Sequence, residues 1–346
     1  STYTNLSGTI GTVTQGKVVQ VAVDMDNKKI WFGIDNTFSG DPAAGSGEAF
    51  SNLPTTILTM SYTAESTQVF NFGQDSSFAG NKSTANSNAD GNGHGSFAYA
   101  PPSGYLALCS QNLSNPAITD GTEHFNTQLF SATAGASGSV TGYGFAPDWL
   151  WTKARNTTQS HQLFDSVRGD NKIIYSNLIN AESAQSAGYF TLESDGFDYG
   201  TSTFSSNTYV GWGWKAGGTA ASNTDGSITS SVSAGEYMSI CTWTGDGNSG
   251  ATIGHGLGKV PSMILVKRRN TDLGWTVYHE DLGTGSEMYL NMTQAVTSSN
   301  FWITSPTTSV FSVSDSDYVN ASSDTYVGYA FANLEGACKV GSYVAN

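Results

Sequence analysis

The chain has 346 residues, room for two or three domains with cores of their own. Only 12% of it is charged, while 40 residues are glycine and 12% are aromatic, a mixture suited to short strands joined by Gly, Ser and Asn turns. A net charge of −14 and a pI near 4.5 repel phosphate and disfavour nucleic-acid partners, and no apolar run reaches the length of a membrane span.

Residues 18–25 alternate as a strand, Asp26-Asn27-Lys28 makes a turn, and residues 29–34 return, which predicts a β-hairpin. Residues 57–62 and 68–73 supply two more expected strands. Residues 80–95, mostly Gly, Asn, Ser and Ala, read as a mobile surface loop. The weak helical stretch at 180–187 has no rival elsewhere in the chain. Residues 217–235 read as a linker, with 227–232 able to pair as an edge strand.

One pattern recurs. Tyr209-Val210-Gly211-Trp212-Gly213-Trp214 returns as Tyr326-Val327-Gly328-Tyr329-Ala330-Phe331, a shift of 117 residues. Both stretches put large side chains on one face and small residues with one tyrosine on the other, which is the period of a strand. The large face reads as a core face, and the glycines leave space for a close neighbour. Upstream, Pro147 to Asn156 matches Pro261 to Asn270 at a shift of 114, which also carries Phe164 to Tyr278 and Tyr175 to Tyr289. A shift held over so many positions points to tandem duplication of one domain rather than a short-period solenoid. The expected repeat core is Trp149, Trp151, Phe164, Tyr209, Trp212 and Trp214 in the first copy. In the second it is Leu265, Tyr278, Tyr326, Tyr329 and Phe331.

Two resemblances follow. The run Val21-Ala22-Val23-Asp24-Met25, then Lys29-Ile30-Trp31-Phe32-Gly33, with Val69-Phe70-Asn71-Phe72-Gly73 and Pro101-Pro102-Ser103-Gly104-Tyr105, resembles the C-terminal part of a SPRY (concanavalin-like) domain. That implies a bent sandwich over residues 1–118 whose other half either belongs to a longer protein, the favoured expectation, or comes from elsewhere. Gly144 to Lys153, His161 to Gly169, Ser194 to Phe197 and Thr208 to Lys215 resemble an uncharacterised domain common in structural proteins of marine tailed phages. This second resemblance implies a virion component and no chemistry. The later copy departs from it where Asp165-Ser166-Val167-Arg168 becomes His279-Glu280-Asp281-Leu282.

Chemistry-bearing patterns are sparse. Asp24/Asp26, Glu193/Asp195 and Asp315/Asp317 have the alternate spacing of glycosidase carboxylates, but Glu193 and Asp195 become Thr307 and Ser309 in the second copy. His161, Asp165 and Ser166 could be assembled as a triad, yet no nucleophile elbow is present and His161 becomes Trp275. Asp90-Gly91-Asn92-Gly93 and Gly245-Asp246-Gly247-Asn248 carry too few carboxylates for calcium. Cys109, Cys241 and Cys338 form no metal or disulfide spacing. Lys153 and Lys267 sit in apolar strands and must snorkel to water or find a carboxylate, Asp165 or Asp198 for the first and Glu280 or Asp281 for the second. Trp31 is the candidate sugar-stacking residue.

The expectation is therefore an all-β chain of tandem antiparallel β-sandwich (jelly-roll or concanavalin-like) domains: 1–118, a repeat at 119–218, a linker at 219–235, a repeat at 236–336 and a tail at 337–346. Its expected role is non-enzymatic, without cofactor or metal, on the virion surface as a tail fibre or similar host-contacting appendage. The alternatives are a capsid decoration or head-fibre protein and a glycan-degrading enzyme. Expected partners are other virion proteins, further copies of the chain as a homo-oligomer and a host cell-surface glycan, with no membrane insertion.

Overall fold

The computed structural model describes residues 13–54, 69–82, 86–113, 115 and 118–343. Among these no α-helix forms, and no helix is long and apolar enough to cross a membrane. Every pair of neighbouring strands within the sheets is antiparallel. The protein is all-β, with several sheets arranged in a sandwich-like manner. Contacts divide it into two units, Ser1–Ser114 and Asn115–Asn346.

In the first unit β1 (Val19–Asp24), β2 (Lys29–Ile34) and β3 (Thr37–Phe38) form one sheet. The hairpin turn is built by Asp24, whose carboxylate accepts from the N–H of Asn27 at 2.9 Å and from its side-chain amide at 2.7 Å. Lys28 takes the left-handed conformation that the turn requires. Val69 to Phe72 is not a strand: Phe70 and Phe72 lie exposed, stacked on each other at 6.3 Å. The strand expected at 57–62 lies outside the described residues. Asp90, within the expected loop, is buried. Its carboxylate accepts from the backbone of Ala107, His94 and Asn92 and from Asn112, tying that stretch to the body of the unit.

The second unit has two halves. In the N-terminal half the strands are β4 (Phe125–Ala132), β5 (Gly138–Thr141), β6 (Trp149–Ala154), β7 (Gln162–Asp165) and β8 (Lys172–Tyr175). They continue as β9 (Ser183–Ala184), β10 (Phe190–Glu193), β11 (Gly196–Tyr199) and β12 (Asn207–Trp214). The large sheet runs β4-β12-β6-β7-β8-β9 and the small one β10-β11-β5. In the C-terminal half the strands are β13 (Ala221–Asn223), β14 (Ser230–Ala234), β15 (Met238–Thr244), β16 (Ala251–Gly254) and β17 (Met263–Arg268). Then come β18 (Thr276–His279), β19 (Ser286–Tyr289), β20 (Thr297–Ser298), β21 (Val310–Val313) and β22 (Thr325–Phe331). Here the large sheet runs β13-β14-β15-β22-β17-β18-β19-β20, and β16 and β21 form the small one.

Pairings in the two halves correspond at the sequence shifts. Trp149 lies opposite Asp165 and Met263 opposite His279; Gln162 opposite Tyr175 and Thr276 opposite Tyr289; Tyr209 opposite Ala154 and Tyr326 opposite Arg268. Each half encloses a core between its own sheets. Phe164, Phe190, Phe197 and Tyr209 line one, and Trp243, Tyr278, Phe311 and Tyr326 the other. A third core lies between the two large sheets.

Three expectations need correction. Residues 219–235 are not a linker: β13 and β14 extend the C-terminal sheet, Ala221 pairing with Val232 and Val232 with Cys241. The alternating Ser/Val pattern of β14 places Val232 in the core and satisfies its backbone by pairing. The stretch 180–187 is not helical, because β9 pairs with β8. Nor are residues 337–340 a free tail, since Val340 is buried against the third core and its N–H donates to Asn333 at 2.6 Å.

The large face of β12 and β22 looks into the third core, while the small face closes the core of each half. Gly211 and Gly213 are small because Tyr143 lies against them. A Cβ on either would sit 2.5 Å from the Tyr143 side chain, whose hydroxyl donates to Gly211 O at 3.1 Å. Gly213→Ala is expected to lower stability by about 1–3 kcal/mol, as overpacking does, read as a lower urea midpoint at unchanged slope. Replacing Tyr143 by Leu in the same chain should recover part of that loss.

Candidate functional site

The third core joins the halves. Trp149 is almost wholly buried and stacks on Tyr329 at 4.5 Å between ring centroids, with Trp214 at 4.6 Å and Phe331 at 5.8 Å. Trp275 completes this layer, and its indole N–H donates to Tyr175 O at 2.9 Å. At its edge lies a charged network. The buried Arg168 guanidinium pairs with Asp165, reaches Glu182 at 3.2 Å and donates to Leu163 O at 3.0 Å. Asp165 also accepts from the Arg168 N–H at 2.7 Å and from the Tyr329 hydroxyl at 2.6 Å. Glu182 is gripped from the other half by Arg269, with both contacts at 2.9 Å. Burial pushes the Glu182 carboxyl up, but the hydrogen bond from Arg269 and the charges of Arg168 and Arg269 outweigh it and hold it below its usual range. Such a network fixes one geometry between two surfaces, because any slip strands a buried charge.

Lys267 is fully buried on the joint face. It pairs with neither Glu280 nor Asp281. Its ammonium donates to Arg268 O at 2.7 Å and, across the joint, to Ile179 O at 3.2 Å. Lys153, at the matching place, donates to Ala154 O at 2.5 Å and Thr157 O at 2.9 Å rather than to Asp165 or Asp198. Strand ends bring carbonyls within reach of both lysines, and the carboxylate of Asp165 is already taken by Arg168. Burial lowers the Lys267 pKa to about 8, with Asp272 opposing. At this residue the unfolded chain then holds more protons than the folded one from about pH 8 to the ordinary lysine value near 10.5, so its contribution to stability rises with pH across that window. Cys241, whose thiol is pushed up, titrates with the opposite sign in the same window, so the test is a difference: the parent chain is expected to gain on the order of 2 kcal/mol relative to Lys267→Met in urea unfolding between about pH 7.5 and 9.5. A difference between the two chains that does not change with pH would show that Lys267 keeps its charge.

The sequence candidates fall elsewhere. Trp31 is not an exposed platform: it is fully buried, edge-on to Tyr105 at 6.1 Å, and its indole N–H donates to Ser46 O at 2.9 Å. It packs inward because its pleat face, shared with Ala22 across the hairpin, is the apolar side of the sheet. Asp165 and His161 do not form a triad with Ser166. The His161 ring nitrogen accepts from Trp151 at 2.8 Å, and Ser166 donates to Asp148 at 2.9 Å. Asp195 accepts from the N–H groups of Gly144 and Gly142, which hold it below the usual carboxylate range. Asp246 accepts from Asn248 N–H and Asn320. Among the described residues no three His, Cys, Asp or Glu side chains gather as a metal site. Cys241 is buried opposite Gly328, and burial pushes its thiol up to about 12.

Phe164, Tyr209, Tyr278 and Tyr326 lie in the cores of their halves, whereas Trp149, Leu265, Tyr329 and Phe331 lie in the joint. Trp151 and Trp214 are half-buried against the joint. Trp212 is also half-buried, but it stands at the margin, edge-on to Trp151 at 6.4 Å, in the strand next to exposed Leu129. The joint network was missed in the sequence. Its only signal was the change of Asp165-Ser166-Val167-Arg168 to His279-Glu280-Asp281-Leu282 between the halves.

Two concave sites of about 330 Å³ open on the second unit. One, over β14 and β15, is lined by hydroxyls including Ser231, Thr242, Thr244 and Thr325, with Arg269. The other lies at the end of the N-terminal half's core, where β7 and β8 meet the Thr203–Ser205 loop. Gln159, Gln162 and Asn180 bring amides to it, and Tyr175 an aromatic ring.

The fold and joint define an all-β module whose buried polar groups hold its two halves together. Residues 120–346 match the model of an uncharacterised family, the domain of unknown function DUF7483, and the chain belongs to that family. No curated protein and no solved structure matches it.

Proposed function

We propose that this chain is a structural, non-enzymatic protein on the surface of a tailed phage particle, a tail fibre or similar host-contacting appendage. The observation that carries the mechanical part is the joint: an aromatic layer sealed by the Asp165–Arg168–Glu182–Arg269 network packs the two halves of the second unit against each other. A stiff body with its charges paired suits a component that spaces or presents surface loops. The phage setting rests on the sequence resemblance of residues 125–218 to structural proteins of such particles. We also read the halves as a tandem duplication of a jelly-roll or concanavalin-like sandwich, supported by strand pairings that agree at shifts of 114 and 117. Asp195, held by the N–H groups of Gly142 and Gly144, and Asp24, held by that of Asn27, support the non-enzymatic reading, because a general acid needs a carboxyl poised near the working pH.

Immunogold labelling of particles with antibody to the intact chain tests this. Label on the tail is expected. Label on the head would transfer the role to capsid decoration, and unlabelled particles would remove the virion assignment. Release of soluble sugar from bacterial surface polysaccharide by the purified chain would overturn the non-enzymatic part.

A further inference from the structure

We propose that the cavity at the end of the N-terminal half's core binds a neutral saccharide. Its lining explains the class. Gln159, Gln162 and Asn180 supply amides, Ser160 and Ser205 hydroxyls, and no charged side chain lines it. Amides offer donor and acceptor side by side, the pattern that neighbouring sugar hydroxyls complete, and the half-buried Tyr175 ring adds an apolar face for a sugar ring. A volume of about 330 Å³ is at the small end of ligand sites and suits one or two sugar rings.

Two observations show that the site is not simply an unfilled gap. Gln162 Oε1 is buried and meets no hydrogen-bond donor, a costly state that a ligand hydroxyl relieves once the side chain turns toward the cavity. Gln159 is held by the Tyr209 hydroxyl, which donates to its Oε1 at 3.0 Å and leaves the amide nitrogen free to donate. The corresponding end of the C-terminal half is closed. Tyr289, the counterpart of Tyr175, packs against Tyr318 at 5.4 Å, and Tyr318 lies on Phe301 at 5.0 Å. Met292 stands where Leu178 does and fills the space over Gly274, the counterpart of Ser160. The strands correspond in register, so the difference lies in the side chains and in the loop before the last strand, where the shift grows from 114 to 117.

This inference deepens the host-contacting reading and rests on it for its biological meaning. Saturation-transfer NMR on the intact chain, with glucose, galactose, mannose, rhamnose and N-acetylglucosamine and with sialic acid as charged control, tests it. At least one neutral sugar is expected to bind. Gln162→Leu and the exposed Asn180→Ala should each weaken binding by about tenfold or more, while Thr276→Val in the closed half leaves it unchanged. Asn180→Ala decides the matter if Gln162→Leu does not fold. Saturation of sialic acid alone, of no sugar, or of a neutral sugar equally by both variants would overturn the proposal. Failure here with tail label intact removes only the saccharide site; binding by a chain absent from particles retains the site and removes the virion reading.

Discussion

Arg168→Ala is expected to destabilise the second unit by about 3–5 kcal/mol, the cost of leaving one partner of a buried ion pair behind. Both side chains of the Asp165–Arg168 pair are fully shielded from water. Removing the guanidinium leaves Asp165 with the Tyr329 hydroxyl and the N–H groups of Val167 and Arg168, and leaves Leu163 O without the donor it has from Arg168. Glu182 fares better, since Arg269 still holds it. The loss should therefore trace to Asp165, and adding Asp165→Asn to Arg168→Met should recover part of it, because the amide removes the stranded charge while its oxygen still accepts from the N–H groups of Val167 and Arg168. Urea midpoints for the single and double variants decide this. A single variant within 1 kcal/mol of the parent chain would mean that water reaches Asp165 and that the joint is looser than its geometry indicates.

Trp149→Ala is expected to cost a similar amount, about 3–5 kcal/mol. The indole touches rings from both halves, so the cavity would open in the joint itself, between Tyr329 and Trp214. Trp149→Phe should lose much less. The Trp149 indole N–H is buried without an acceptor, and phenylalanine keeps the stacking while removing that unsatisfied donor. Because the joint belongs to both halves, the alanine variant should shift one cooperative transition of 115–346. Two separate transitions in circular dichroism and tryptophan fluorescence would show that the halves fold independently and that the joint contributes little to either.

Much of the strand framework was readable from residue order. The alternation in 209–214 and 326–331 placed β12 and β22, and the 114-residue shift foretold corresponding pairings such as Gln162 with Tyr175 and Thr276 with Tyr289. Alternation separates the two faces of a strand but does not say what covers each. Hence the large faces, read as the interior of separate sandwiches, in part seal the halves against each other, and Trp212 is left at the margin.

What the sequence determined by itself is local: period-two patterning makes strands, turn-forming residues such as Asp24 and Asn27 close the first hairpin, and glycine at 211 and 213 leaves space for a neighbour. The tertiary structure alone decided which neighbour came. Tyr143 fills that space, Asp165 meets Tyr329 from 164 positions away, and Lys267 finds carbonyls instead of a carboxylate. The physical reason is range: backbone propensity and pleat act over a few residues, whereas burial of charge and the fate of each face depend on which distant surface docks, and no spacing within one strand encodes that.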